Sequence, residues 1–208
     1  MKKILCYGDS NTFGFNPKDG SRFDENTRWT ALLQKHLKNN YEVIEEGMCD
    51  RTGFCDNTKG FLYSSQRHLP KFLSKSEKFD IIILAIGTND LQFQYNMGFN
   101  AVQRGLAALI KTAQEKADKV IIIPPVILNE NILNGYFKIQ FDETSITKSR
   151  KIGTIYRKLS NALNCCYFDI NKTALPSDTD GLHYDETAHK IIADKLAEFI
   201  KKGNEIGK

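Results

Sequence analysis

The chain lacks the features that mark membrane-spanning and secreted proteins. No stretch approaches the roughly 18 to 20 consecutive apolar residues that a membrane-spanning helix needs. An apolar run follows Lys2 and Lys3, but Gly8 and Asp9 interrupt it within a few residues, which does not fit a secretory signal peptide. We therefore expect a cytoplasmic protein with no membrane span.

Disulfide spacing and clustered positive charge are also missing. The cysteines, at positions 6, 49, 55, 165 and 166, form an odd set without a CxxC pair, and this favours a reducing compartment. The 29 basic and 25 acidic residues nearly balance, and the lysines are scattered, so no nucleic-acid footprint is predicted. The content of 41% hydrophobic and 26% charged residues is typical of a folded globular protein.

Short apolar runs alternate with segments of helical periodicity, which predicts βαβ units and a parallel sheet. The predicted strands are residues 3–7, 41–45, 80–86, 119–123 and 165–169. The predicted helices are residues 29–39, 70–78, 98–117, 144–163 and 185–202. The third and fourth strands are continuously apolar, as central strands covered on both faces are. Because no repeat or linker is evident, we expect a single domain over residues 1–208.

Residues suited to acyl chemistry follow several of these strands. Ser10 comes directly after the first strand, and a nucleophilic serine needs a base and donors for the oxyanion. His183 and Asp180, three residues apart, could supply the base and the carboxylate that orients it. Asn89 and Gly47 could supply a side-chain and a backbone N–H donor. Taken singly, each of these residues is also a common turn or cap residue.

What favours function is the position of these residues along the chain. They fall in the loops at residues 8–28, 46–69, 87–97 and 170–183, each of which follows a predicted strand. In a doubly wound parallel sheet, such loops converge at the carboxyl edge of the strands. The sequence therefore predicts one site at that edge.

The chain resembles the SGNH, or GDSL-type, hydrolase family, whose sequence blocks it matches in order. The matching segments are Gly8-Asp9-Ser10, Gly47, Gly87-Thr88-Asn89-Asp90 and Asp180-Gly181-Leu182-His183. Thr27-Arg28-Trp29, Arg51-Thr52 and Pro124-Pro125 further resemble the bacterial arylesterase and acyltransferase-like members. Asn11 and Cys49 depart from this pattern, where many relatives have leucine and serine.

The resemblance implies a flavodoxin-like, three-layer α/β/α fold with a five-stranded parallel sheet. It implies a serine esterase without metal or cofactor, in which Ser10 is the nucleophile, His183 the general base and then acid, and Asp180 its orienting partner. The oxyanion hole would consist of the Ser10 and Gly47 N–H groups and the Asn89 side chain.

The expected substrate is a small carboxylic ester, which is hydrolysed or whose acyl group is transferred to an alcohol. Aryl esters, acetylated sugars, lysophospholipids and thioesters all stay open, as does self-association into a homo-oligomer. We expect loops 12–28, 92–97 and 126–143 to wall the pocket, with Phe93, Tyr95 and Phe99 near its entrance.

The residues support three rival interpretations less well. A metal hydrolase could use Asp180, His183, Asp185 and His189, but no other loop offers a histidine ligand. A flavodoxin-like binding module would bind flavin or phosphate at the same edge, yet neither a P-loop lysine nor GxGxxG spacing follows Gly8. An α/β-hydrolase is disfavoured because GxSxG is absent.

Overall fold

The computed structural model describes residues 1–205, with side chains to residue 203. Within this part, the five strands are β1 (Lys2–Gly8), β2 (Tyr41–Gly47), β3 (Phe79–Ala85), β4 (Ala117–Ile123) and β5 (Cys166–Tyr167). The six α-helices of the same part are α1 (Ser10–Phe13), α2 (Trp29–Leu37), α3 (Ser65–Ser74), α4 (Phe99–Gln114), α5 (Glu143–Ala162) and α6 (Glu186–Glu205). Residues 206–208 of the predicted domain lie outside the described residues.

All strand pairs are parallel, and the strand order is β2-β1-β3-β4-β5. The connection from β1 to β2 runs toward one edge of the sheet, whereas the connections to β3, β4 and β5 run toward the other edge. The chain therefore reverses its direction across the sheet, and the reversal leaves β1 and β3 as neighbours. Gly8 at the end of β1 is level with Gly47 of β2 and with Ala85 of β3. The loops after these strands therefore leave the sheet together, at the switch point where open α/β sheets bind ligands.

The helices form two layers around the sheet. Because parallel crossovers are right-handed, the reversal at β1 places α2 on one face and α3, α4 and α5 on the other. Accordingly, α2 contacts α6, whereas α4 contacts both α3 and α5. The three-layer, flavodoxin-like α/β/α fold predicted from the sequence is confirmed.

Apolar periodicity explains how the layers pack. The segments Ile81–Leu84 and Val120–Ile123 are buried along their whole length, as predicted for central strands. Helix α4 buries the predicted face, which consists of Val102, Leu106, Leu109, Ile110 and Ala113. In α6, Ile192 and Leu196 are fully buried, but Ile191 is 37% exposed and does not belong to the core face.

Helix α3 and strand β5 differ most from their predicted bounds. Helix α3 begins at Ser65 and includes Pro70 in its interior, whereas the sequence placed the helix start at that proline. The burial of Leu69 and Leu73 explains the longer helix, since packing outweighs the local preference of proline for a first turn. Strand β5 pairs with β4 only at Cys166 and Tyr167, so this edge strand is shorter than the apolar run suggested.

Candidate active site

A tight strand-to-helix turn presents Ser10 at the carboxyl edge of the sheet. Asp9 is the N-cap of α1, and its carboxylate accepts the Asn11 N–H at 3.1 Å. Ser10 is the first residue of the helix, where backbone N–H groups have no intrahelical partner. Gly8 permits the turn, because a Cβ there would collide with the Thr12 hydroxyl and the Ala85 carbonyl oxygen.

Ser10, His183 and Asp180 form a continuous chain of hydrogen bonds. The Ser10 Oγ lies 2.9 Å from His183 Nε2, and His183 Nδ1 lies 2.6 Å from Asp180 Oδ2. The other carboxylate oxygen accepts the backbone N–H groups of Leu182 and His183, each at 2.9 Å. The structure therefore brings together three residues that lie up to 173 positions apart in the sequence.

The local environment keeps the Asp180 carboxylate ionised. Burial alone would raise its pKa, but the hydrogen bond and charge of His183 and the backbone N–H groups of Leu182 and His183 lower the pKa below its ordinary value. Because Asp180 accepts from Nδ1, the opposite nitrogen of the His183 ring can accept the Ser10 proton. The arrangement is that of a nucleophile, a base and an orienting carboxylate.

Two aromatic rings cover His183. The Phe15 ring centroid lies 4.2 Å from that of His183, and the Phe137 centroid lies 5.2 Å away on a more steeply tilted plane. Such contacts restrict the orientation of the imidazole ring. The sequence interpretation missed these residues, because only the fold brings their loops to His183.

The Asn89 side chain is held in one orientation by two hydrogen bonds. Its Nδ2 donates to the Arg51 carbonyl oxygen at 3.0 Å, and its Oδ1 accepts from Gln92 Nε2 at 3.0 Å. Among the described residues, Arg51 is the one hydrogen-bond acceptor of Nδ2, and Asn89 lines the cavity. Gln92 was not singled out in the sequence, although its position three residues after Asn89 is the only signal that could have found it.

Gly47 is not among the residues that line the cavity. It pairs with Gly8 in the sheet, and a Cβ on it would come within 2.6 Å of Phe13 Cα in the backbone of α1. Cys49 and Asp50, a few residues later, do line the cavity. Asp50 has a φ of +62°, a left-handed conformation that turns the chain there. Of the five predicted site residues, Gly47 is thus the one that the cavity does not include.

Beside these residues lies a cavity of about 500 Å³. Its wall includes residues from the segments 15–20, 135–140 and 179–183, together with Ser10, Asn89 and Lys59. The predicted loops 12–28 and 126–143 therefore do contribute. Loop 92–97 does not, and the aromatic side chains at the cavity are Phe15, Tyr136 and Phe137 rather than the predicted Phe93, Tyr95 and Phe99.

Another buried carboxylate, that of Asp90, supports the loop that follows β2. Asp90 accepts the backbone N–H groups of Gly53, Phe54 and Cys55, and burial raises its pKa despite these bonds. This contact ties the loop to the end of β3 next to Asn89. The buried Asp90 thus positions the loop whose Arg51 carbonyl oxygen accepts from the Asn89 amide.

The residues of the rival metal site have other partners. His189 Nδ1 accepts the Trp29 backbone N–H at 3.2 Å, and burial lowers the pKa of this imidazole to about 4. Among the described residues, no three or more His, Cys, Asp or Glu side chains are grouped to hold a metal ion.

No helix in residues 1–205 has the length and apolarity to cross a membrane.

Comparisons with known proteins point to one family. The model of the GDSL-like lipase/acylhydrolase family matches residues 6–191. A carbohydrate acetylesterase family member from Sinorhizobium meliloti superposes with a TM-score of 0.89 at 27% identity, covering 97% of this chain and 98% of that one. The aryl esterase of M. smegmatis, in its inhibitor-bound form, gives a TM-score of 0.88 at 26% identity, with coverages of 97% and 99%. A search of curated proteins finds no match.

Proposed function

Since the chain belongs to the GDSL-like lipase/acylhydrolase family of ester-hydrolysing enzymes, we propose that it cleaves small carboxylic esters through an acyl-Ser10 intermediate. The observation that carries this proposal is the pair of contacts that His183 makes, at 2.9 Å to Ser10 Oγ and at 2.6 Å to Asp180 Oδ2. Ser10, Asp180 and His183 all line the same cavity.

In the proposed reaction, Ser10 Oγ attacks the ester carbonyl carbon while His183 Nε2 takes the hydroxyl proton. Asp180 stabilises the imidazolium that forms. The imidazolium then gives its proton to the leaving alkoxide, and the acyl group stays on Ser10. Water, or a second alcohol, loses a proton to His183 and attacks the acyl-enzyme. The imidazolium then returns this proton to Ser10 Oγ, and the acid or a new ester is released.

The oxyanion of each tetrahedral intermediate needs donors that are in place before the reaction. We assign these to the Ser10 N–H at the start of α1, the cavity-facing hydrogen of the Asn89 amide and a backbone N–H of the loop after β2. The sequence placed this last donor at Gly47. The proposal takes Asp50 of the same loop instead, because Asp50 lines the cavity.

The cavity wall favours a polar alcohol portion over a long acyl chain. Lys18, Asp19, Lys59 and Gln140 line it together with aromatic side chains. Charged groups and aromatic faces in one wall suit a hydroxyl-rich alcohol, so a carbohydrate acetylesterase is the second candidate.

We also propose a cytoplasmic location, which the five free cysteines support.

The test is turnover of p-nitrophenyl acetate by the wild type and by Ser10→Ala, with a fluorophosphonate label located by mass spectrometry. We expect activity and label to depend on Ser10. Ser21→Ala is the matched control, because Ser21 is exposed and its hydroxyl bonds only to Asp19. Activity retained by Ser10→Ala, or a label on another residue, would refute the assignment.

A further inference from the structure

The loop that supplies the proposed backbone donor also brings a negative charge to the cavity. Asp50 lines the cavity with Ser10 and Asn89, and the next residue, Arg51, offers the carbonyl oxygen that accepts from the Asn89 amide. The Asp50 carboxylate therefore belongs to the same cavity wall as the proposed oxyanion donors. Two like charges in a partly desolvated site repel each other, so an uncompensated Asp50 would oppose the reaction.

Lys59 compensates this charge. Its Nζ lies 2.6 Å from Asp50 Oδ2, and both residues belong to the cavity wall. The hydrogen bond to Asp50 raises the pKa of Lys59, so the ammonium group stays charged at neutral pH. The other cavity lysine, Lys18, is paired instead with Glu186 at 2.8 Å.

A buried asparagine holds the ion pair in register. Asn57 Nδ2 donates to the Asp50 carbonyl oxygen at 2.8 Å, and Asn57 Oδ1 accepts the Lys59 backbone N–H at 2.9 Å. Asn57 itself is only 5% exposed. The Asn57 side chain therefore holds the backbone of both Asp50 and Lys59. This distinguishes the pair from an ion pair formed by two independent surface side chains.

Building on the proposed function, we propose that Lys59 is a positioning residue whose ammonium group neutralises Asp50 beside the oxyanion donors. It raises the rate of acyl transfer by removing a repulsion that this chain's own aspartate creates. The competing explanation is an ordinary surface pair, since the side chains are 54% and 36% exposed. Such a pair would contribute to stability only slightly and to the rate not at all.

The test is a double-mutant cycle with p-nitrophenyl acetate, a neutral ester. We expect Lys59→Met to lower kcat by about three- to tenfold, because two charges several ångströms apart at a half-exposed site interact at this level. KM is expected to change less than twofold. In the background of Asp50→Asn, which removes the charge but keeps the backbone and tolerates φ > 0, the same lysine substitution is expected to have no effect on kcat.

Salt gives a second readout. In 0.5 M NaCl the Debye length is about 4 Å, so the exposed Asp50 charge is screened. Part of the lost kcat is expected to return in Lys59→Met but not in the double variant. Lys78→Met is the control, because it breaks another exposed pair, with Asp118, that lies outside the cavity wall.

A wild-type kcat in Lys59→Met, or equal losses in the presence and absence of the Asp50 charge, would overturn the inference. Fluorophosphonate titration counts the folded sites in each variant, so that a loss of folded enzyme is not read as a loss of rate. If the wild-type activity does not depend on Ser10, the proposed function itself fails. If it does depend on Ser10 but not on Lys59, only the present inference fails.

Discussion

Replacing Asp180 by asparagine is expected to remove most of the activity by reversing the proton arrangement on His183. Oδ1 of Asp180 accepts two backbone N–H groups at 2.9 Å each, while Oδ2 lies 2.6 Å from His183 Nδ1. In the variant, only the amide oxygen can accept the two backbone bonds. The amide NH₂ group then faces Nδ1, the imidazole proton moves to Nε2, and His183 can no longer accept a proton from Ser10.

The size of the effect follows from the cost of turning the amide round. The opposite orientation loses two hydrogen bonds of about 1.5 kcal/mol each, so it is populated at a level below about 1%. The loss in kcat is therefore expected to be at least about 10²-fold, and it can reach the roughly 10⁴-fold typical of a wrong imidazole tautomer, which corresponds to about 5.4 kcal/mol.

The assay is steady-state turnover of p-nitrophenyl acetate together with the rate of fluorophosphonate labelling. Because both backbone bonds are kept, the unfolding midpoint is expected to stay close to that of the wild type. Asp178→Asn is the control, since this nearby carboxylate is exposed and accepts only weakly from Asn129 and Asn131. A loss of less than tenfold in Asp180→Asn would refute the assigned role of Asp180.

Two further substitutions test the donors and their support. Gln92→Leu removes the bond that fixes Asn89 Oδ1, so kcat is expected to fall about tenfold with little change in KM; an unchanged kcat would mean that the Arg51 carbonyl alone orients the amide. Gly47→Ala places a Cβ against the backbone of α1 at Phe13, so urea unfolding is expected to show a loss of about 1–3 kcal/mol. Full stability with lost activity would instead indicate a direct role for the Gly47 backbone.

Most of the fold could be predicted because hydrophobicity and its periodicity are local properties of the sequence. The continuous apolar runs at residues 81–84 and 120–123 are typical of strands covered on both faces, and α4 shows one apolar face. The start of α3 was predicted wrongly because tertiary packing, and not the local sequence, decides it. Pro70 carries a strong local signal for a first turn, and only packing in the folded protein overrides it.

The candidate site likewise has features that the sequence predicts and features that only the folded structure shows. The sequence by itself determined that Ser10, Asn89, Asp180 and His183 follow parallel strands, and parallel strands bring such loops to one edge. Only the tertiary structure decided that Phe15 and Phe137 cover His183, that Gln92 orients Asn89 and that Asp50 lines the cavity. Those contacts depend on turn geometry and on loops distant in sequence, which no local pattern of residue types encodes.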